Sequence, residues 1–286
     1  MAHTTLITAE ELAQNLDDSS WVIFDCRFSL ANVDRGERSY NKSHIPGAYY
    51  AHLDRDLCSP KTPELGRHPL PDPEEFAAWL GQRGVTGTTQ VVAYDDAGAA
   101  IAGRLWWMLR WLGHDNVAVL DGGWRAWQDG EFPADSTTPE LREEEFTASP
   151  RRDLWLDTDQ VVATMNGGRD LIVDARAPER YAGILEPLDP VAGHVPGAVN
   201  LPFAGNLDGE GRFLTKDKLK KRLRDFLKGI SAESVVNMCG SGVTACQNIL
   251  AMEHAGLKGS RLYVGSWSAW ISNGSRPIAV KKDTRD

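Results

Sequence analysis

The chain carries one set of four short motifs twice, in the same order and 143 to 150 residues apart. The paired blocks are residues 25–27 with 174–176 (Asp-x-Arg), 44–48 with 194–198 (His-Ile/Val-Pro-Gly-Ala), 91–98 with 235–242, and 122–127 with 265–270 (Gly-x-Trp-x-Ala-Trp). A period this long is that of a whole domain and not of a solenoid unit. The pattern therefore predicts a tandem duplication of one domain fold.

The length agrees with that interpretation, because 286 residues can form two domains that each bury a core of their own. We expect the first domain to span residues 1–130 and the second to span residues 154–286. Residues 131–153 between them are rich in Pro, Ser, Thr and charge, which is typical of a linker.

In each half, short apolar runs alternate with patterns typical of helices. The apolar runs are residues 21–24, 90–94 and 117–120 in the first half and residues 171–173, 234–238 and 261–264 in the second. The helical patterns include residues 73–83, 102–112, 215–227 and 243–255. This alternation predicts an α/β fold, with a parallel sheet flanked by helices in each domain.

Charge and cysteine content exclude several classes of function. With 40 acidic and 31 basic residues the net charge is −9, which opposes general binding to nucleic acid or to an anionic membrane. No apolar stretch approaches the length of a membrane span, and the first residues lack a secretory signal pattern, so a cytoplasmic location is expected. The 4 cysteines lack the paired spacing of metal ligands, so we expect neither a metal nor a cofactor.

The two copies differ at the end of one predicted strand, where Asp95 in the first corresponds to Cys239 in the second. Residues 239–244 read Cys-Gly-Ser-Gly-Val-Thr and lead into a helix. Glycines permit a tight turn that aims backbone N–H groups at the sulfur, and the helix directs its positive end toward the same point. Both effects favour a thiolate, and the Ser241 and Thr244 hydroxyls could add donors. The loop thus predicts a nucleophilic cysteine able to carry a persulfide, although a lone cysteine can also be a buried apolar residue.

Together these motifs resemble the two-domain rhodanese superfamily, and the loop at residues 239–245 resembles that of its 3-mercaptopyruvate sulfurtransferase branch. The resemblance implies two domains with five-stranded parallel sheets, of which only the second is catalytic. It also implies that Cys239 takes sulfur from 3-mercaptopyruvate and passes it from a persulfide to cyanide, thioredoxin or another thiol. The resemblance further implies that Arg180 binds the donor together with loop residues, which are Gly240, Gly242, Val243 and Thr244.

Two departures from the family bear on the identity of the donor. Thiosulfate-specific members typically carry basic residues where this chain has Gly240 and Ser241, so 3-mercaptopyruvate is the expected donor and thiosulfate the alternative. Mercaptopyruvate enzymes hold the donor with two arginines nine residues apart. Arg180 matches the first of them, but Asp189 stands at the second position.

The resemblance also suggests a proton relay. His68 and Asp54 resemble a histidine and an acidic partner that the family places near the donor, and together with Ser241 they could protonate the departing pyruvate enolate. By contrast, His44 and His194 occur in both copies, so we expect them to have structural roles.

Other functions fit the sequence less well. A rhodanese-like phosphatase needs an arginine where this loop has Ala245, and its loop is one residue longer. A non-catalytic interaction module would suit the first domain, because the Asp95 carboxylate cannot carry sulfur. Cys246 follows Cys239 by two helical turns and is expected to be buried.

Overall fold

A computed structural model describes residues 2–165 and 170–280. The chain splits into two compact units. The first unit comprises Met1–Ser59, Leu70–Arg152 and Asp208–Phe213, and the second comprises Pro60–Pro69, Asp153–Leu207 and Leu214–Asp286. The short segment Pro60–Pro69 therefore packs with the second unit although it lies in the first half of the chain.

The first unit contains a five-stranded parallel sheet in the order β1-β5-β4-β2-β3. Its strands are β1 (Leu6–Ile7), β2 (Trp21–Asp25), β3 (Tyr49–Tyr50), β4 (Gln90–Tyr94) and β5 (Val117–Leu120). Its helices are α1 (Ala9–Ala13), α2 (Arg35–Lys42), α3 (Leu53–Asp56), α4 (Pro73–Gly81), α5 (Ala102–Trp111) and α6 (Gly123–Asp129).

The second unit repeats this topology, with a five-stranded parallel sheet in the order β6-β10-β9-β7-β8. Its strands are β6 (Trp155–Leu156), β7 (Leu171–Asp174), β8 (Val199–Asn200), β9 (Val235–Met238) and β10 (Arg261–Tyr263). Its helices are α7 (Thr158–Met165), α8 (Pro178–Ala182), α9 (Lys216–Leu227), α10 (Ala245–His254) and α11 (Ser266–Trp270). Short 3₁₀ turns lie at Arg152–Leu154, Phe203–Asn206 and Ala232–Ser234. The predicted fold class is confirmed.

The central strand β9 is buried along its whole length, as parallel strands covered by helices on both faces are. Its apolar side chains join a core that includes Tyr263, Trp267 and Trp270. Because this strand is rigidly packed, the residue that follows it is held in a defined place at the edge of the sheet.

Each Asp-x-Arg motif forms a buried ion pair at the end of a strand. In the second unit the pair is Asp174 with Arg176, 2.6 Å apart, and the guanidinium lies 4.9 Å from the Trp267 ring. The first unit repeats this arrangement with Asp25 and Arg27. These motifs, which occur in both copies, therefore stabilise the architecture.

The paired histidines have structural contacts as well. His194 Nδ1 lies 2.7 Å from the Tyr181 carbonyl oxygen, and the two rings stack with centroids 3.8 Å apart. His44 makes the same two contacts with Tyr40. In the described parts of the chain, no helix combines the length and the apolar character needed to cross a membrane.

Candidate active site

Cys239 follows directly after β9 and is only 2% exposed. Its backbone N–H donates to Ser266 Oγ at 3.1 Å, and its carbonyl accepts from the Trp267 N–H at 3.0 Å. The Gly240 carbonyl accepts from the Ser268 N–H at 2.9 Å. The Gly-x-Trp motif of the second unit, at the start of α11, thus anchors the backbone of the cysteine loop.

Gly242 gives the loop its turn. Its φ is +75°, and a Cβ atom there would lie 2.4 Å from the Val264 carbonyl oxygen, so a residue with a side chain cannot fit without moving the backbone. Among the hydrogen bonds of the described residues, none is donated by the backbone N–H of Ser241, Val243 or Thr244. The loop that follows Cys239 therefore contains three amide donors without a hydrogen bond among the described residues.

The equivalent loop of the first unit shows what such amides can hold. The buried Asp95 carboxylate accepts four backbone N–H groups, two on each oxygen. The distances are 2.9 Å to Ala97 and 3.0 Å to Ala99 on one oxygen, and 2.8 Å to Ile101 and 2.9 Å to Ala102 on the other. This loop is a backbone anion site filled by its own side chain.

Aligning Asp95 with Cys239 places Ala97 at Ser241 and Ala99 at Val243. The two loops differ beyond these positions, because the N–H of Cys246, at the position of Ala102, donates to the Val243 carbonyl oxygen at 3.1 Å. The amides of Ser241 and Val243, at the positions of Ala97 and Ala99, donate no hydrogen bond among the described residues.

A histidine from the segment Pro60–Pro69 lies beside this loop. His68 Nδ1 is 2.7 Å from Ser241 Oγ, and the two residues are 2% and 5% exposed. The segment is fixed against α11, since the Arg67 N–H donates to Ser268 Oγ at 3.0 Å. The structure thus brings together His68 and Ser241, which are 173 residues apart in sequence.

Arg180, near the end of α8, is held by two carboxylates. Its Nε and Nη2 donate to Glu186, with 2.7 Å between Nη2 and Oε1, and Nη2 also lies 3.1 Å from Asp189 Oδ2. Asp189 Oδ1 accepts from Arg67 Nη1 at 2.6 Å. Sequence analysis did not identify Arg67 or Glu186. The only signal for Arg67 was its place next to His68.

Both guanidinium groups lie beside the cysteine loop. A Cβ atom on Gly240 would be 3.0 Å from Arg67 Nη2 and 3.4 Å from Arg180 Nη2. The absence of a side chain at Gly240 therefore lets two cations approach the loop closely.

The remaining predicted residues occupy varied positions. Val243 is buried and Thr244 half-buried, just before α10 begins. Asp54 is an exposed residue of α3 in the first unit, and its backbone N–H donates to His52 Nδ1 at 3.1 Å. Its participation in a relay with His68 and Ser241 stays a prediction.

The other cysteines, like Cys239, are buried. Cys246 is fully buried within α10, and its Sγ lies 3.4 Å from the Gly242 carbonyl oxygen. Burial raises the pKa of Cys58 to about 11 and that of Cys26 well above its ordinary value. Across the ranges that the structure describes, no cluster of His, Cys, Asp or Glu could hold a metal ion.

Comparison with known proteins identifies two regions that match the Rhodanese-like domain family, residues 8–130 and 157–273. A probable 3-mercaptopyruvate sulfurtransferase from Pseudomonas aeruginosa is 43% identical over 282 residues, which cover 98% of this chain and 99% of that protein. A putative thiosulfate sulfurtransferase, SseB, from Mycobacterium tuberculosis is 38% identical, with 96% of each chain covered. The crystal structure of the 3-mercaptopyruvate sulfotransferase SseA from Escherichia coli matches with a TM-score of 0.80 and 32% identity, covering 93% of this chain and 99% of that one.

Proposed function

This chain is a sulfurtransferase that belongs to the rhodanese-like family, and on that basis we propose that it moves sulfur from 3-mercaptopyruvate to a thiophilic acceptor through a persulfide on Cys239. The observation that carries the proposal is the position of Cys239, in a loop whose Ser241, Val243 and Thr244 amides donate no hydrogen bond among the described residues, and beside Arg67 and Arg180. A nucleophile, an anion-stabilising backbone and cations for a charged donor are thus found at one place.

In the first step, the Cys239 thiolate attacks the thiol sulfur of the donor. A sulfur–sulfur bond forms, the carbon–sulfur bond breaks, and its electron pair leaves as the enolate of pyruvate. The proton of the donor thiol ends on the enolate carbon, so the products are pyruvate and a persulfide anion on Cys239.

The amides of the loop support the persulfide. Its outer sulfur carries the negative charge, and the amides of Ser241 and Val243 align with two of the four N–H groups that hold the Asp95 carboxylate in the first unit. Donors that are already oriented need no reorganisation when the charge develops, which favours the persulfide over a freely solvated one.

In the second step, an acceptor such as cyanide or a thiolate attacks the outer sulfur. The sulfur–sulfur bond breaks and its electron pair returns to Cys239 as a thiolate, while the acceptor leaves as thiocyanate or as a persulfide. Thioredoxin is one protein thiol that could serve here.

Thiosulfate is the second candidate donor, because one relative at 38% identity is named as a putative thiosulfate sulfurtransferase. The loop itself favours the keto acid, since Gly240 and Ser241 bring no positive charge that would balance a dianion. We expect kcat/KM to be about tenfold or more higher with 3-mercaptopyruvate than with thiosulfate, with cyanide as acceptor in both assays. The reverse order would assign the chain to the thiosulfate class.

The pair His68 and Ser241 is proposed to move the proton from the donor thiol to the enolate carbon, which is a role suited to an imidazole. We expect His68→Gln and Ser241→Ala to lower kcat with 3-mercaptopyruvate by about 100-fold. Sulfite leaves thiosulfate without needing a proton on carbon, so the same variants should lose much less activity with that donor. Equal losses with both donors would assign the pair a structural role, and His254→Gln, at the end of α10, provides a control.

A further inference from the structure

The region beside the cysteine loop contains one cation that the family pattern did not assign. Arg67 reaches Gly240 from the segment Pro60–Pro69, and Arg180 reaches it from α8. We propose that Arg67, held in place by Asp189, binds the carboxylate of the keto-acid donor together with Arg180. This inference rests on the proposed function and identifies a residue that would determine its donor specificity.

Asp189 holds the two cations together. Its side chain is only 3% exposed, and its two oxygens accept from different arginines, Oδ1 from Arg67 Nη1 at 2.6 Å and Oδ2 from Arg180 Nη2 at 3.1 Å. Two guanidinium groups at close range repel each other unless an anion lies between them. Asp189 is therefore a positioning residue, and Arg67 supplies the positive charge that position 189 lacks.

The arginines keep donors available for a ligand. Within the described residues, the hydrogen bonds donated by the guanidinium groups involve Nη1 of Arg67 and Nε and Nη2 of Arg180, so Nη2 of Arg67 and Nη1 of Arg180 have no partner. Both atoms lie beside Gly240, since a Cβ atom there would be 3.0 Å from the first and 3.6 Å from the second. A carboxylate that contacts both atoms can accept one charge-assisted hydrogen bond from each arginine.

The charge of the surrounding network favours a monoanion. Three arginines face three carboxylates, so their formal charges cancel; they are Arg67, Arg176 and Arg180 with Asp174, Glu186 and Asp189. The side chains of Arg67 and Arg180 are 22% and 17% exposed, so a ligand can reach them, yet they are partly shielded from water. A single carboxylate matches two directed N–H groups in a neutral network better than a dianion does.

Kinetics of Arg67→Gln test this assignment. With 3-mercaptopyruvate as donor we expect KM to rise about tenfold or more, because a charged hydrogen bond to the carboxylate is lost, while kcat stays within about threefold. Arg224→Gln removes an equal charge from the exposed face of α9 and should leave KM unchanged. An Arg67→Gln variant whose KM matches that of Arg224→Gln would overturn the proposal.

Asp189→Asn separates positioning from net charge. The variant makes the site more positive. If Asp189 acted only by repelling the anionic donor, its replacement would lower KM. We expect a KM several-fold higher, because the two guanidinium groups lose the carboxylate that orients them. A lower KM would overturn the positioning role of Asp189.

Alkylation of Cys239 provides a test that does not depend on turnover. The rate with iodoacetate, divided by the rate with iodoacetamide, reports how well the site attracts a carboxylate, and mass spectrometry locates the label. We expect this ratio to fall several-fold in Arg67→Gln and to stay constant in Arg224→Gln. If the wild-type protein does not turn over 3-mercaptopyruvate, the proposed function fails, whereas an unchanged ratio defeats only the assignment of Arg67.

Arg67→Lys keeps the test decisive if Arg67→Gln does not fold, as judged by circular dichroism. Lysine retains the charge but not the planar fork that reaches Asp189 and the donor together. We expect an alkylation ratio close to that of the wild type and a KM about threefold higher. An unchanged KM in this variant would contradict the inference.

Discussion

Replacement of Cys239 by alanine is expected to abolish sulfur transfer to cyanide, with a loss of about 10⁴-fold or more. The hydrogen bonds that anchor Cys239 to Ser266 and Trp267 involve only its backbone, so the loop should keep its shape without the sulfur. The variant therefore removes the proposed nucleophile and little else. Activity is measured as thiocyanate formation, and folding is checked by thermal unfolding.

Cys246→Ala is the matched control for this experiment. Cys246 is fully buried in α10 and contacts the Gly242 carbonyl, so its loss should cost about 1 kcal/mol of stability and leave most of the activity. Equal losses in the two variants would contradict the assignment of the nucleophile. Incubation of the wild-type protein with donor alone should add the mass of one sulfur atom to the peptide that contains Cys239.

Asp95→Ala is expected to destabilise the first unit by about 3–5 kcal/mol. Four buried backbone N–H groups would lose their acceptor at once, and each unsatisfied donor carries a cost of about 1–3 kcal/mol. Part of this cost is offset because the variant also removes a buried carboxyl group. Denaturant unfolding of the full chain measures the change, with a probe in the first unit.

Asp96→Ala is the control, since Asp96 pairs with Arg35 at the surface and should contribute less than about 1 kcal/mol. A similarly small effect for Asp95→Ala would show that the four amides contribute little to stability through the Asp95 carboxyl group.

Burial raises the pKa of the Asp95 carboxyl above that in the unfolded chain, although the four N–H groups favour its charged form. Its stabilising contribution therefore declines as pH rises through the folded-state pKa, and the effect of Asp95→Ala should be larger at about pH 4.5 than at about pH 8.

Much of the fold could be predicted because it depends on local patterns. The apolar runs at residues 21–24, 90–94 and 117–120 correspond to the strands β2, β4 and β5. The pattern at residues 215–227 corresponds to the helix α9. The edge strands were not predicted, since two-residue strands such as β1 and β3 are too short to show a periodicity.

The loop that contains Cys239 also has a local signature. A buried strand, a cysteine with two nearby glycines and a following helix are consecutive in the sequence, so the position of Cys239 at a sheet edge follows from them. The first copy has Asp95 at the position of Cys239, and this difference predicted that the second half of the chain is the catalytic one. The family relationship, the fold class and the sulfurtransferase activity were all predicted at this level and are confirmed.

The cation arrangement at the donor side required the tertiary structure. Sequence alone showed an acidic residue at position 189 where an arginine was expected, which indicated a weakened donor site. The folded chain instead joins Asp189 to Arg67 across 122 residues of sequence, and no local pattern encodes such a pairing. The segment Pro60–Pro69 similarly gave no sign that it packs with the second unit.

The sequence repeat and the hydrophobic periodicity thus determined the duplicated α/β fold and the position of Cys239. Both are readable because residues that are close in sequence form each helix and strand, and because the same pattern occurs in both domains. The surroundings of the sulfur, with His68 on Ser241 and Arg67 on Asp189, were decided only by the packing of distant segments. Long side chains such as arginine can reach partners from many backbone positions, so which cation faces the donor depends on three-dimensional placement.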